Sequence, residues 1–220
     1  MPPVSEGLQA VRARIAAACQ RAGRASSEIT LVAVTKTFPA SAVSEAIAAG
    51  ASDVGENRVQ EARDKKPEVR GGARWHLIGH LQSNKAKDAV KLFDVIQSVD
   101  SLALAEKIAR AAEAIGKRQE VLLQINVGDE TQKSGAPFDD AASIADAMRA
   151  MPALHLRGLM AIPPIGGAEE TRPYFRRLRE LRDQLALEHL SMGMSEDFEA
   201  AIEEGATIVR VGRAIFGART

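Results

Sequence analysis

The run Leu31-Val32-Ala33-Val34-Thr35-Lys36 decides how this chain is read. Its apolar, β-branched residues follow one another without polar alternation, as in a parallel strand covered on both faces. Residues 43–49 then read as a helix stopped by Gly50, a favourable residue just past a helix end. Before the strand, residues 5–21 read as a lone helix. The decisive stretch is therefore a strand, a turn carrying a lysine, and a helix.

The same alternation continues to the end of the chain. Asp53-Val54-Gly55 reads as a brief second strand, with a polar helix from about Asn57. Strands three to eight are expected at 75–78, 93–97, 120–127, 154–162, 189–192 and 206–211. Helices are expected between them at 83–92, 102–115, 139–151, 169–188 and 196–204, with Pro152 stopping the third of these. Eight strand patterns alternating with helices predict the α/β class. They favour a TIM-type (β/α)8 barrel with an extra N-terminal helix over an open sheet, and 220 residues suit such a barrel, which needs at least ~200. No stretch is long or polar enough to be a domain boundary, so residues 1–220 are expected to form one domain.

Composition narrows the function classes. Lys+Arg and Asp+Glu are both 29, a net charge of zero, so no nucleic-acid or anionic-membrane surface is indicated. The single cysteine, Cys19, lies in an Ala-rich helical pattern and can form neither an internal disulfide nor a cysteine metal site. Arg12 and Arg14 interrupt the apolar run a signal peptide would need, and no apolar stretch approaches the ~18 residues of a membrane span. The expectation is a cytoplasmic protein. The four histidines have no metal-binding spacing, and the Gly-x-Gly-x-x-Gly turn of a dinucleotide fold is missing where it would be needed.

In a barrel of this type the site lies at the C-terminal ends of the strands. Strand one ends in Lys36, on the same face as Val32 and Val34 because side chains alternate. If that face points inward, desolvation favours the neutral amine, which Schiff-base formation requires. The alternative is a surface lysine at a strand-to-loop junction. Strand eight ends in Val209-Arg210-Val211-Gly212-Arg213, and the N–H groups of Gly212 and Arg213 could receive a phosphate there. The loops after strands seven and eight are the usual phosphate position, and strand seven ends in Ser191-Met192-Gly193-Met194-Ser195. Ser195 is also a plausible helix N-cap. Other polar strand ends include Asn57 and the stretch from Met160 to Pro164. His76 can be a satisfied core residue or a ligand contact, and His80 lies in a loop.

Several of these segments resemble one family. They are Leu31 to Thr37, Gly55-Glu56-Asn57-Arg58-Val59-Gln60-Glu61, Trp75 to Lys85, Lys133-Ser134-Gly135, Arg157 to Pro163, Ser191 to Asp197 and Val209 to Gly217. Running in order along the whole chain, they resemble the pyridoxal phosphate homeostasis proteins, single-domain relatives of the alanine racemase N-terminal-domain barrel. The resemblance implies that Lys36 carries pyridoxal 5′-phosphate as a Schiff base. It implies phosphate contacts from Ser191 to Ser195 and the Gly212 turn, Arg210 facing the pyridine nitrogen, Lys133 near the ring hydroxyl and Asn57 in the pocket. The expected cofactor-binding set is Lys36, Asn57, Met160, Ser191, Gly193, Met194, Ser195, Arg210, Gly212 and Arg213, with no metal. Two positions depart from the family pattern: His80 stands where proline is usual, and Leu77 where phenylalanine is.

Racemisation needs acid/base groups on both faces of Cα, and alanine racemase takes its second, a tyrosine, from another domain. The one tyrosine here, Tyr174, falls inside a helical pattern. The expectation is therefore a non-catalytic or weakly catalytic monomer that buffers pyridoxal phosphate, with handover to apo-enzymes as a further step. The alternatives are a racemase or decarboxylase using Lys36 as base, and a lysine-imine barrel enzyme acting on a sugar phosphate.

Overall fold

The computed structural model describes residues 3–130, 132 and 134–217. Eight strands alternate with helices: β1 (Thr30–Val34), β2 (Asp53–Glu56), β3 (Arg74–Leu77), β4 (Val95–Val99), β5 (Gln119–Ile125), β6 (Leu154–Ala161), β7 (His189–Ser191) and β8 (Ile208–Val211). The helices are α1 (Val4–Arg21), α2 (Ala40–Ala48), α3 (Val59–Lys65), α4 (Ala86–Leu92), α5 (Leu102–Glu113), α6 (Ala141–Arg149), α7 (Ala168–Gln184), α8 (Phe198–Glu203) and α9 (Arg213–Phe216). The strands pair in chain order, all parallel, and β8 closes on β1, with Thr30 opposite Ile208 and Val32 opposite Arg210. The expected (β/α)8 barrel is the fold found, with α1 as the helix that precedes it.

Alternation along each strand divides the core in two. Ala33, Val54, Leu77, Ile96, Leu123, Leu159, Leu190 and Val209 face outward and pack with the helices in one large apolar cluster. Their neighbours Val32, Leu122, Met160 and Ile208 form a separate small cluster inside the barrel. Burying a side chain of this size contributes roughly 1.5–3 kcal/mol, so the outer shell supplies most of the apolar stabilisation. α1 packs against α8, α9 and α2, outside the β8–β1 closure. Gly7 makes the approach to α9 close enough: a Cβ there would lie 2.3 Å from the carbonyl oxygen of Ile215.

Some boundaries differ from expectation. β1 ends at Val34 rather than Lys36, although Thr35 N–H still donates to Gly55 O at 2.9 Å. The chain then turns through Thr37, which has φ +69°. Lys36 thus sits in the turn, two residues beyond the strand. β4 starts at Val95, because Phe93 closes α4 with its N–H on Ala89 O. α7 stops at Gln184, four residues short of the expected end, where Leu185 N–H caps it on Leu181 O and Ala186 takes φ +49°.

Candidate functional site

A cavity of about 640 Å³ opens at the C-terminal ends of the strands. That lies within the roughly 300–1,000 Å³ of small-molecule sites. Val34 and Lys36 line it from β1 and its turn, Arg210, Gly212 and Arg213 from β8 and the start of α9. Because β1 and β8 are neighbours, the lysine turn and the glycine turn lie side by side. A Cβ on Gly212 would come within 3.4 Å of the Val34 side chain. The face of Val32 and Val34 does point inward, so Lys36 is a half-buried cavity residue.

The turn that holds Lys36 is tied down on both sides. Thr35 Oγ1 donates to Glu56 Oε1 at 2.5 Å, and Thr37 N–H donates to the Glu61 carboxylate. Lys65 Nζ joins the two, reaching Glu56 Oε1 at 2.6 Å, Glu61 Oε1 at 3.0 Å and Thr35 O at 2.9 Å. Glu56 is fully buried, and its Oε2 has no hydrogen-bond partner among the described residues. Burial raises its pKa above the usual carboxylate value, and the bonds from Lys65 and Thr35 offset only part of that. None of this was legible beforehand, because no local pattern in the sequence singles out Lys65.

Arg210 is buried, and its guanidinium is fixed by two bonds. Nη1 donates to Ser191 Oγ at 2.6 Å, and Nη2 to Ala161 O at 2.9 Å. Burial pushes its pKa down to about 10, with Asp197 pulling the other way, so it stays cationic at neutral pH. Asp197 itself is pushed up by burial and accepts Met194 N–H at 2.7 Å. Gly212 caps the start of α9, and its carbonyl accepts Ile215 N–H at 2.9 Å. This leaves the N–H groups of Arg213 and Ala214 without an intrahelical acceptor, as at any helix start.

Of the expected residues, Lys36, Asn57, Met194, Ser195, Arg210, Gly212 and Arg213 line this one cavity. Met160, Ser191 and Gly193 do not. Met160 belongs to the apolar layer inside the barrel, below the cavity. Ser191 is fully buried, and its hydroxyl is committed to Arg210 and Gln97, so it supports the arginine instead of facing a phosphate. Gly193, at φ +90°, turns the chain between β7 and Ser195, and its carbonyl accepts Arg210 N–H. Lys133 lies outside the described residues.

His76 is a buried core residue bonded on both ring nitrogens, to Asp53 and to Gln97. His80 is exposed at the cavity rim, 3.2 Å from Asp100. Sequence reading missed Gln124, on the cavity wall, whose Nε2 holds Ser134 O at 2.9 Å. Its inward position on β5 follows from alternation with Leu122 and could have been found. Among the described residues no three His, Cys, Asp or Glu side chains cluster as a metal site, and no helix is long and apolar enough to cross a membrane.

A family model described as alanine racemase, N-terminal domain, matches residues 7–220. The chain is 46% identical to the pyridoxal phosphate homeostasis protein of Pseudomonas aeruginosa, over 100% of this chain and 97% of that protein. It is 42% identical to the protein of the same name in Escherichia coli K12, over 100% of this chain and 98% of that one. Among solved structures, PipY of Synechococcus elongatus with PLP bound aligns at a TM-score of 0.85 and 39% identity, covering 97% of this chain and 100% of that chain. Alanine racemase of Clostridium difficile aligns at a TM-score of 0.75 and 15% identity, over 100% of this chain and 57% of that chain, a likeness of fold alone.

Proposed function

Since the chain belongs to the pyridoxal phosphate homeostasis protein family, whose barrel is that of the alanine racemase N-terminal domain, we propose that it holds pyridoxal 5′-phosphate as a Schiff base on Lys36 and buffers the intracellular pool. One observation carries this reading: Lys36, Arg210 and the Gly212 turn converge on one cavity from the adjacent strands β1 and β8. The donor set suits the ligand. A lysine suits the aldehyde, unspent backbone N–H groups and Ser195 suit the phosphate, and a buried cation suits an unprotonated ring nitrogen.

Bound pyridoxal phosphate supplies an aldehyde that amines capture reversibly and a ring that stabilises carbanions best when its nitrogen is protonated. The Arg210 cation disfavours that protonation by like-charge repulsion. Lys36 holds the aldehyde and shields it from stray amines. Arg213 and Ser195, with the N–H groups at the start of α9, would hold the phosphate, and the clamp of Glu56, Glu61 and Lys65 orients the lysine turn. This division of labour suits storage more than turnover. Tyr174, the chain's one tyrosine, packs into the helical shell away from the cavity. We take residues 1–220 as one cofactor-binding domain, working as a cytoplasmic monomer that can pass its cofactor to apo-enzymes.

The experiment is the visible spectrum of protein loaded with pyridoxal phosphate, for wild type and Lys36→Ala, followed by borohydride reduction and peptide mapping. A yellow species fixed to the Lys36 peptide, and lost in the variant, supports the reading. A colourless wild type, or a variant with an unchanged spectrum, overturns it. Solvent deuterium incorporation at Cα of a panel of amino acids then separates storage from racemase chemistry: exchange well above that of free cofactor rejects storage.

A further inference from the structure

A hydrogen-bonded chain runs through the interior of the barrel, ending at Arg210. Arg210 Nη1 lies 2.6 Å from Ser191 Oγ, and Ser191 Oγ lies 2.6 Å from Gln97 Oε1. Gln97 Nε2 lies 2.9 Å from His76 Nδ1, and His76 Nε2 lies 2.8 Å from Asp53 Oδ1. The five residues come from β8, β7, β4, β3 and β2, and all are buried. The chain joins a cation on the cavity wall to a carboxylate at the opposite, N-terminal end of the strands. Asp53 also accepts Ser52 Oγ, and Arg74 and Asp197 are the charged groups near its two ends.

Its direction is determined link by link. A guanidinium only donates, so Ser191 Oγ accepts from Arg210. The serine has one proton, which passes to Gln97 Oε1. The amide nitrogen at the other end of Gln97 only donates, so His76 Nδ1 must accept. A neutral imidazole then carries its proton on Nε2 and donates it to Asp53. Every bond points the same way, from cation to anion. Turning the Gln97 amide over would leave the Ser191 proton facing two donors and would require a doubly protonated His76.

We infer that Gln97, His76 and Asp53 are positioning residues for Arg210. They fix which face of Ser191 accepts, and so hold the guanidinium at the angle that meets the ring nitrogen of the cofactor. The inference rests on the proposed cofactor reading for its ligand, but the direction of the chain belongs to the cofactor-free protein.

Two measurements test it. In cofactor-free protein, nitrogen NMR of labelled histidine is expected to show His76 neutral, with its proton on Nε2, near neutral pH. A proton on Nδ1, or an imidazolium, overturns the assigned direction. Binding of pyridoxal phosphate is then compared with that of its analogue carrying C–H in place of the ring nitrogen, for wild type, Gln97→Leu and Gln97→Glu. Wild type should prefer pyridoxal phosphate by roughly tenfold, the order of one buried hydrogen bond to a charged group. Gln97→Leu should lose that preference. Gln97→Glu should keep it, because its carboxylate still accepts from Ser191 and also accepts from His76 once that ring carries a proton on Nδ1. If Gln97→Leu does not fold, Gln97→Met makes the same comparison with a smaller change of shape. Equal binding of both ligands by wild type sinks the placing of Arg210 against the ring nitrogen, and this inference with it. A wild-type preference that Gln97→Leu retains in full sinks the positioning role alone.

Discussion

Thr35 Oγ1 donates to the fully buried Glu56 at 2.5 Å, which ties the residue before Lys36 to the end of the neighbouring strand. The bond links β1 to β2 at the level where the cavity begins. Lys65 completes the arrangement from α3, so a turn expected to be a plain strand end is held by a buried ion pair.

Lys65→Met should therefore cost about 3–5 kcal/mol in urea unfolding, because it leaves Glu56 buried without its cation. The double variant Lys65→Met with Glu56→Leu should recover most of that loss, since an apolar pair avoids the desolvation penalty. It should not recover cofactor affinity, because the Lys36 turn has lost its tether. A double variant that binds as wild type does would show that the clamp serves stability alone.

Ser191 and Ser195 should separate cleanly in ligand binding. Ser195 lines the cavity and Ser191 does not. Affinity for pyridoxal phosphate relative to pyridoxal, which lacks the phosphate, should fall in Ser195→Ala and stay unchanged in Ser191→Ala. Ser191→Ala should instead lower stability by about 1–3 kcal/mol, the penalty for stranding buried polar partners.

Gly7→Ala should destabilise the protein, although it lies far along the chain from the site. Its Cβ would meet Ile215 O at 2.3 Å, and backbone there cannot swing aside. The expected loss is about 1–3 kcal/mol, as for other overpacked positions. Cofactor affinity should fall with it, since α9 carries the Gly212 turn. Calorimetry with a parallel binding titration checks both.

Asp53 gives a pH dependence. Burial pushes its carboxyl up, but hydrogen bonds from His76 and Ser52 together hold it below the usual 3.8. Folded Asp53 thus keeps its charge to lower pH than the unfolded chain does. Its stabilisation is present above 3.8 and is lost as pH falls through the lowered folded value. Urea midpoints of wild type and Asp53→Asn should differ most well above that pH and converge in acid. A gap that widens in acid would contradict the assigned direction.

By itself, the sequence determined the eight strand and helix units, that Val32, Val34 and Lys36 share one face, and the glycine turn after β8. Each depends on a local period or on residue types at a strand end, and strand alternation needs no partner to be read. That this face points inward came from the structure. The tertiary structure alone decided who meets whom across the barrel. Closure of β8 on β1 sets the lysine turn beside the Gly212 turn. Register across several strands turns Ser191 from an expected phosphate contact into a support for Arg210, and brings Gln97, His76 and Asp53 into line behind it. Nothing in the local sequence marks Lys65, whose ammonium packs onto Glu56 only once α3 lies against β2. Such contacts join residues far apart in the chain. Which side chain fills the space opposite another depends on register and closure, and no local pattern encodes either.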